Sequence, residues 1–341
     1  MGGNTRHFLT LFEDLCGDAR FSVKLIDTSR QQEFLNPLRN IMVALKTLYL
    51  IVLNLRNSDI VSFHASNRGM FLFGPQIVGL SKLARKQTIL RMFGGSFGDF
   101  YLQQNKFKKV IIRKLILSSD IVLLQTRRSI EQLKQHASGR LEWFSTYVRT
   151  TPRPSGQAQI AEDKVCEKFI FLGHLWRNKG METMLAAASN LPGNTSIDIF
   201  GPLDEYTEDD IQERGKGRVR YCGFLTHAQV DATLWEYDCL VLPTFHPSEG
   251  YPGVIAEAFT NGLPVITTNW LAIPEIVDDE CGILIPPNDT AAFVAAITSL
   301  YADPARWRRL CKGARARAAQ FDHAVWSRKF SSICEELVHE S

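Results

Sequence analysis

Short runs of β-branched and aromatic residues alternate along this chain with segments of helical length. In the first part the runs fall at 22–27 (Ser-Val-Lys-Leu-Ile-Asp), 59–64, 88–93 and 120–125. A Pro/Thr/Ser/Gly-rich stretch from Thr150 to Gly156 interrupts them, and they resume at 168–173, 196–201, 218–223, 239–243, 264–268 and 282–286. Apolar runs of this length bounded by turn residues predict strands, and strands separated by helical segments predict parallel sheets covered by helices. The interruption reads as a linker. The pattern therefore predicts two doubly wound, Rossmann-like α/β domains, 1–152 and 153–341, with the last helix placed to pack back on the first domain. Ligands of such sheets sit beyond the carboxyl ends of the strands, so two facing domains predict a cleft between them. The longest apolar stretch, Ile41 to Leu55, is broken by Lys46 and is too short to span a bilayer; it reads as a buried helix.

Composition adds a charge asymmetry. The chain has 341 residues, 45% of them apolar, which is ample for two cores. Its net charge of +3 is the sum of unlike halves: residues 1–155 hold 23 Lys/Arg against 10 Asp/Glu, a surplus of 13 cations, and the remainder holds 16 against 26, a surplus of 10 anions. A basic half implies an anionic partner such as a membrane surface. Nucleic acid is the competing partner, and no recognition-helix, zinc-knuckle or RNP pattern supports it. Seven cysteines occur singly without a C-x-x-C, mostly in apolar runs, as in a reduced cytoplasmic protein, and no signal peptide opens the chain.

The most informative segment is Glu249-Gly-Tyr-Pro-Gly-Val-Ile-Ala-Glu257, two carboxylates eight positions apart around a Gly/Pro turn. It follows the strand-like run 239–243, and Pro252 stands where the first helical position is expected, a place that suits its missing N–H. The helix is expected to run to about Asn261 and stop at Gly262. Strand, turn and helix start together present free N–H groups and a positive dipole end to an anion. The two acids then serve to accept hydrogen bonds from hydroxyls of a sugar or ribose attached to that anion. A second strand–turn–helix, 169–180, carries Gly173, His174, Arg177 and, where the next helix starts, Lys179, whose ammonium suits a phosphate.

Together these residues resemble a family. Gly173-x-Leu175-x-x-x-Lys179-Gly180, Tyr221-Cys-Gly223-Phe224, the 249–257 segment with Ala258, Gly262-x-Pro264-Val265-Ile, Pro274-Glu275-Ile276-Val277 and Gly282-Ile-Leu-Ile-Pro-Pro287 are similar, in order and spacing, to the C-terminal half of family 4 retaining glycosyltransferases (glycosyl transferases group 1) of the GT-B fold. The likeness is dense over 165–325 and loose over 1–150. It implies that Lys179, the backbone of Gly250, Tyr251, Pro252, Gly253 and Val254, and the following helix start hold a nucleotide diphosphate and stabilise its charge as the glycosidic bond breaks. It implies that Glu257 binds the ribose, Glu249 the transferred sugar, and Gly223 and Phe224 the base. Eight residues span roughly 12 Å if helical, enough for the acids to flank a nucleotide sugar. It also implies a front-face retaining substitution and no metal or other cofactor; the chain contains no Asp-x-Asp, and Glu208–Asp210 and Asp278–Glu280 read as solvated loops. On residues alone the acid pair also fits a hydrolase, against which the phosphate-binding lysine argues.

Three positions depart from the family pattern. His174 stands where an arginine is usual, with Arg177 as a possible substitute. Phe93 replaces the histidine of a His-Gly loop after the fourth strand; Gly94, Gly95 and Asp99 follow it, and His64, expected at the end of the 59–63 strand, is the candidate to contribute to catalysis instead, or else a structural histidine. The start, with Gly2, Gly3 and Arg6, resembles the glycine loop that normally follows a first strand, and that strand is expected to be missing from the first domain. Within the first domain, Lys106, Lys109, Arg113 and Lys114 share one side of a helical segment 105–118 whose other side is apolar, which reads either as a helix lying on an anionic bilayer or as an ordinary domain helix with its apolar side in the core; the cation surplus of the domain favours the bilayer. The expected protein is thus a cytoplasmic, membrane-peripheral glycosyltransferase, on the inner face of the plasma membrane, acting on a nucleotide sugar and a lipid-linked or oligosaccharide acceptor in surface polysaccharide or lipopolysaccharide assembly. A non-catalytic GT-B subunit that binds sugar nucleotides is the alternative, and a sugar-nucleotide epimerase a third reading.

Overall fold

The computed structural model describes residues 3–27, 37–149 and 164–339. It divides into two compact units, Met1–Ser145 with Ala324–Ser341, and Thr146–His323. The division falls before the segment 150–156, which lies outside the described residues; Val148 already belongs to the second unit, where its N–H donates to Phe321 O (2.8 Å).

The first unit opens with α1 (Gly3–Cys16) and α2 (Pro37–Leu55) and continues through β1 (Ile60–Ser66), α3 (Asn67–Leu83), β2 (Gln87–Phe93), α4 (Phe97–Leu102), α5 (Lys106–Ile111) with a π-helical turn at Ile112–Ile116, β3 (Ile121–Leu124), α6 (Arg127–Leu133) and β4 (Arg140–Trp143). Its strands lie side by side in chain order, all parallel. Met70 and Ile77 of α3, Phe97 of α4 and Ile112 and Ile116 of the π turn bury one face of this sheet with Leu90 and Val122. The second unit holds β5 (Lys168–Leu172), α7 (Met181–Ala187), β6 (Ser196–Phe200), α8 (Glu208–Gly215), β7 (Val219–Tyr221), α9 (His227–Leu234), β8 (Cys239–Leu242), α10 (Gly253–Thr260), β9 (Val265–Thr268), β10 (Gly282–Ile285), α11 (Thr290–Ala302) and α12 (Pro304–Ala318). Its six parallel strands run in the order β10-β9-β8-β5-β6-β7. A last helix, α13 (His323–His339), groups from Ala324 onward with the first unit.

Four expectations differ from this. Residues 22–27 are not a strand: no neighbouring strand pairs with them among the described residues, and Val23 and Leu25 stay exposed. The apolar runs do not predict β4, because Arg140 and Glu142 alternate with Leu141 and Trp143; both charges are matched from α13, Arg140 by Glu336 (2.7 Å) and Glu142 by Lys329 (3.1 Å). The apolar run 41–55 is helical but not buried all round: Thr47, Ile51 and Leu55, at four-residue spacing, face inward, whereas Met42, Leu45 and Tyr49 are more than 60% exposed. Glu208–Asp210 are the first turn of α8, where Asp210 closes a capping box with Thr207, and not a loop.

Candidate functional site

The strand order of the second unit places β5 and β8 side by side at its centre, with β6 and β7 continuing to one side and β9 and β10 to the other. Strand order reverses there, so the loops leaving β5 and β8 diverge from a common crevice at the carboxyl edge, where such sheets bind ligands. The two loops are stitched together: Asn178 O accepts from the Phe245 N–H (2.8 Å). Gly180 makes the approach possible. Its φ is +90°, and a Cβ there would stand 2.3 Å from Pro243 O.

Across this seam Lys179 Nζ donates to Glu249 Oε2 at 2.6 Å, and Thr244 Oγ1 donates to the same oxygen at 2.7 Å. The lysine side chain is 17% exposed and the glutamate 9%. An ammonium has three hydrogens; one meets Glu249, and no other bond from Nζ is made among the described residues. Beside the pair the His246 ring stacks on Trp176, which stacks on His174, at centroid separations of 5.7 and 4.5 Å. Trp270 Nε1 donates to His246 O (2.9 Å), fixing the far end of the stack. Burial, reinforced by the Lys179 charge and opposed by Glu249, holds His246 below its ordinary value, so it is neutral near pH 7. The Ser248 N–H donates to Nδ1 (3.3 Å), which leaves the proton on Nε2.

The remaining expected residues of this unit fall around that seam in different ways. Helix α10 starts at Gly253, with Pro252 as its N-cap (φ −58°, ψ 125°) and not inside the helix as its spacing predicts. Gly250 and Pro252 are buried, Gly253 and Val254 half-buried, and Glu257 lies one turn along α10, half-buried. Tyr251 is 3% exposed and donates its hydroxyl to Glu275 Oε2 (2.6 Å), so its side chain anchors the loop. Gly173 follows β5 directly, and Gly223 follows β7 with φ +89°. Phe224 is 68% exposed and so is not a core residue. His174 Nδ1 pairs with Asp204 Oδ2 at 2.8 Å, and its side chain is exposed. Arg177 takes Glu205 on its backbone N–H (2.6 Å), and its charge acts on Glu182. Thr244, His246, Trp176, Trp270 and Glu275 were missing from the sequence reading as site residues. The spacing Thr244-x-x-x-x-Glu249 was the available signal.

In the first unit, His64 lies inside β1 and not at its end. Its Nε2 meets Ser62 Oγ (2.7 Å), and its ring sits against Phe8, Phe93 and Phe330 at 5.1, 6.2 and 5.8 Å. Burial, and secondarily the Arg91 charge, hold its pKa well below the ordinary imidazole value. That is the environment of a packed, neutral histidine. Gly94 turns the chain after β2 with φ +88°; Gly95 O accepts from Ser129 Oγ (2.9 Å); Asp99 Oδ1 accepts from Arg128 (2.9 Å) and Gln132 (2.7 Å). Gly3 begins α1, and Gly2 lies outside the described residues. Among the described residues no group of three or more His, Cys, Asp or Glu is placed to hold a metal ion, and Asp278 is engaged by Arg317.

Residues 166–303 match the family model for glycosyl transferases group 1. Over 167 residues the chain is 32% identical to a glycogen synthase of Mycobacterium tuberculosis, covering 46% of this chain and 39% of that one. Over 161 residues it is 30% identical to the O-antigen chain mannosyltransferase B of Escherichia coli, covering 45% and 41%. The matched stretch thus spans about two fifths of the length of these curated relatives. The backbone superposes on the Anabaena protein HepE, solved in complex with UDP and glucose, with a TM-score of 0.71 at 15% identity, over 98% of this chain and 96% of that one. The fold is therefore GT-B.

Proposed function

We propose that the chain, whose residues 166–303 match the glycosyl transferases group 1 model, is a retaining glycosyltransferase moving a sugar from a nucleotide donor to a glycan acceptor in surface polysaccharide biosynthesis. The observation that carries this reading is the Lys179–Glu249 contact at the reversal of strand order, which sets a cation and a carboxylate from two separate loops at one point. A departing nucleoside diphosphate gathers negative charge as its bond to the sugar breaks. Lys179 and the N–H groups opening α10 stabilise that charge without reorganising, which lowers the barrier. Glu249, held by Thr244, offers its second oxygen to donor-sugar hydroxyls; Glu257 serves the ribose, and Phe224 gives the base an apolar face. The reaction so drawn needs no metal. UDP and glucose in the HepE complex make UDP the first probe of choice.

The acceptor in this reading is lipid-linked and meets the enzyme at the cytoplasmic membrane face. The cation surplus of residues 1–155 and the O-antigen relative support it; among the described residues no helix is long and apolar enough to cross a membrane. The test incubates the chain with a panel of nucleotide sugars and lipid extract and reads nucleoside diphosphate release. Release that disappears in Glu249→Gln and Lys179→Met is expected. The histidine at 174, where the family pattern has an arginine with a permanent charge for the diphosphate, favours the second reading of a binding subunit; tight nucleotide binding without turnover in the intact protein would decide for it.

A further inference from the structure

We propose that the first unit docks on anionic bilayers through a groove at the junction of α3, the π turn and the segment after α6, which takes the phosphate headgroup of a membrane lipid. This rests on the membrane-facing reading above and names its site. The groove encloses about 440 Å³ and is lined by Lys82, Arg113, Lys114 and His136 with Ser118 and Val110 among others, and by no carboxylate. Lys82 Nζ donates to Ser118 Oγ (2.8 Å), whose own proton goes to Lys114 O (2.5 Å), so the hydroxyl joins the two cationic walls. None of Lys82, Arg113 and Lys114 has a carboxylate partner among the described residues. Residues 100–119 contain five Lys/Arg and no Asp/Glu. Cations converging on one hollow without counter-charge repel one another, and an anion in the hollow relieves that repulsion.

The surroundings select the kind of anion. Val110, on the groove wall, is 47% exposed; Phe107, one helical turn before it, is 73% exposed; Leu83, next to Lys82, is 85% exposed. Large apolar side chains standing in water beside unpaired cations fit an amphiphile: the cations meet phosphate while Phe107, Val110 and Leu83 enter the acyl boundary. Free phosphate leaves those side chains without a role. RNA would be expected to find exposed aromatic faces in a series along the groove, and none of the described residues lining it is Phe, Tyr or Trp.

The test is flotation of the full chain with vesicles of phosphatidylcholine alone and of phosphatidylcholine mixed with phosphatidylglycerol. Binding to the mixed vesicles only is expected, weakening with salt. Each cation at the surface is worth about five-fold in partition, so R113A/K114A is expected to bind about 25-fold more weakly, and Phe107→Ser is expected to bind more weakly even at salt that screens charge. All three positions are exposed, so the variants are expected to fold. UDP titrated into R113A/K114A reports on the other unit and is expected to bind as in the parent; absence of nucleotide binding in the parent would count against the proposed function and leave the vesicle result to stand by itself. Equal binding to neutral vesicles, undiminished binding of R113A/K114A, or a loss confined to single-stranded RNA offered in parallel would overturn the proposal.

Discussion

Removing the ammonium of Lys179 separates two roles that the same side chain holds. In Lys179→Met, Glu249 remains 9% exposed with one hydrogen bond, from Thr244. Breaking a fully buried pair from one side costs about 3–5 kcal/mol; the lysine side chain keeps 17% exposure, so water reaches the vacated space and about 2–3 kcal/mol is expected. Glu249→Gln keeps an acceptor for Thr244 and leaves an ammonium that hydrates more readily, so about 1–2 kcal/mol is expected. The double variant holds no stranded charge and is expected to fall only about 1 kcal/mol below the parent, a coupling of about 3 kcal/mol. Urea unfolding followed by tryptophan fluorescence measures the cycle. Nucleotide affinity is expected to behave differently: Lys179→Met loses a charged hydrogen bond to phosphate, about 10- to 100-fold in Kd, and the double variant does not recover it. Additive stability losses would refute the desolvated pair. Nucleotide affinity restored in the double variant would refute the phosphate role.

Other outcomes follow from the same geometry. Gly180→Ala combines a positive φ with a Cβ pressed on Pro243 O, so a loss of about 3 kcal/mol or more is expected, with parted loops and weakened nucleotide binding, checked by denaturation and by titration. Phe224→Ala removes an exposed ring, so stability should stay within about 0.5 kcal/mol of the parent while UDP affinity falls several-fold. His64 is depressed in the fold, so its contribution is fully present above the ordinary imidazole pKa and lost as pH falls below it; thermal melts from pH 8 to about 5 should show a steeper acid decline in the parent than in His64→Leu.

How much of this was legible depends on whether a feature is local. The strands of the second unit stand in the sequence because each β-branched or aromatic run ends at a Gly, Pro or Thr turn, as Phe169–Leu172 does at Gly173. Residues 22–27 show the same local preference yet form no strand, since a strand also requires a neighbour; Arg140–Trp143 looks unlike a strand and becomes one because α13 neutralises its charges. Hydrophobicity without a period, as in 41–55, gives a helix but not the face it buries. Lys179 and Glu249 were readable as candidates from turn-to-helix spacing. Their mutual contact was not, being set by β5 and β8 pairing across 70 residues. The same holds for the His174–Trp176–His246 stack and for the pairing of His174 with Asp204. His64 read as a possible catalytic residue because a strand-end histidine and a ring-packed one share a sequence signature.

The central claim, that one point between the β5 and β8 loops grips a nucleoside diphosphate through Lys179, is tested most directly by titration calorimetry with UDP, GDP, ADP and TDP. The account predicts one-to-one binding of at least one of them, weakened at least 10-fold in Lys179→Met. Failure of all four to bind the parent, or equal binding by the parent and Lys179→Met, would contradict it.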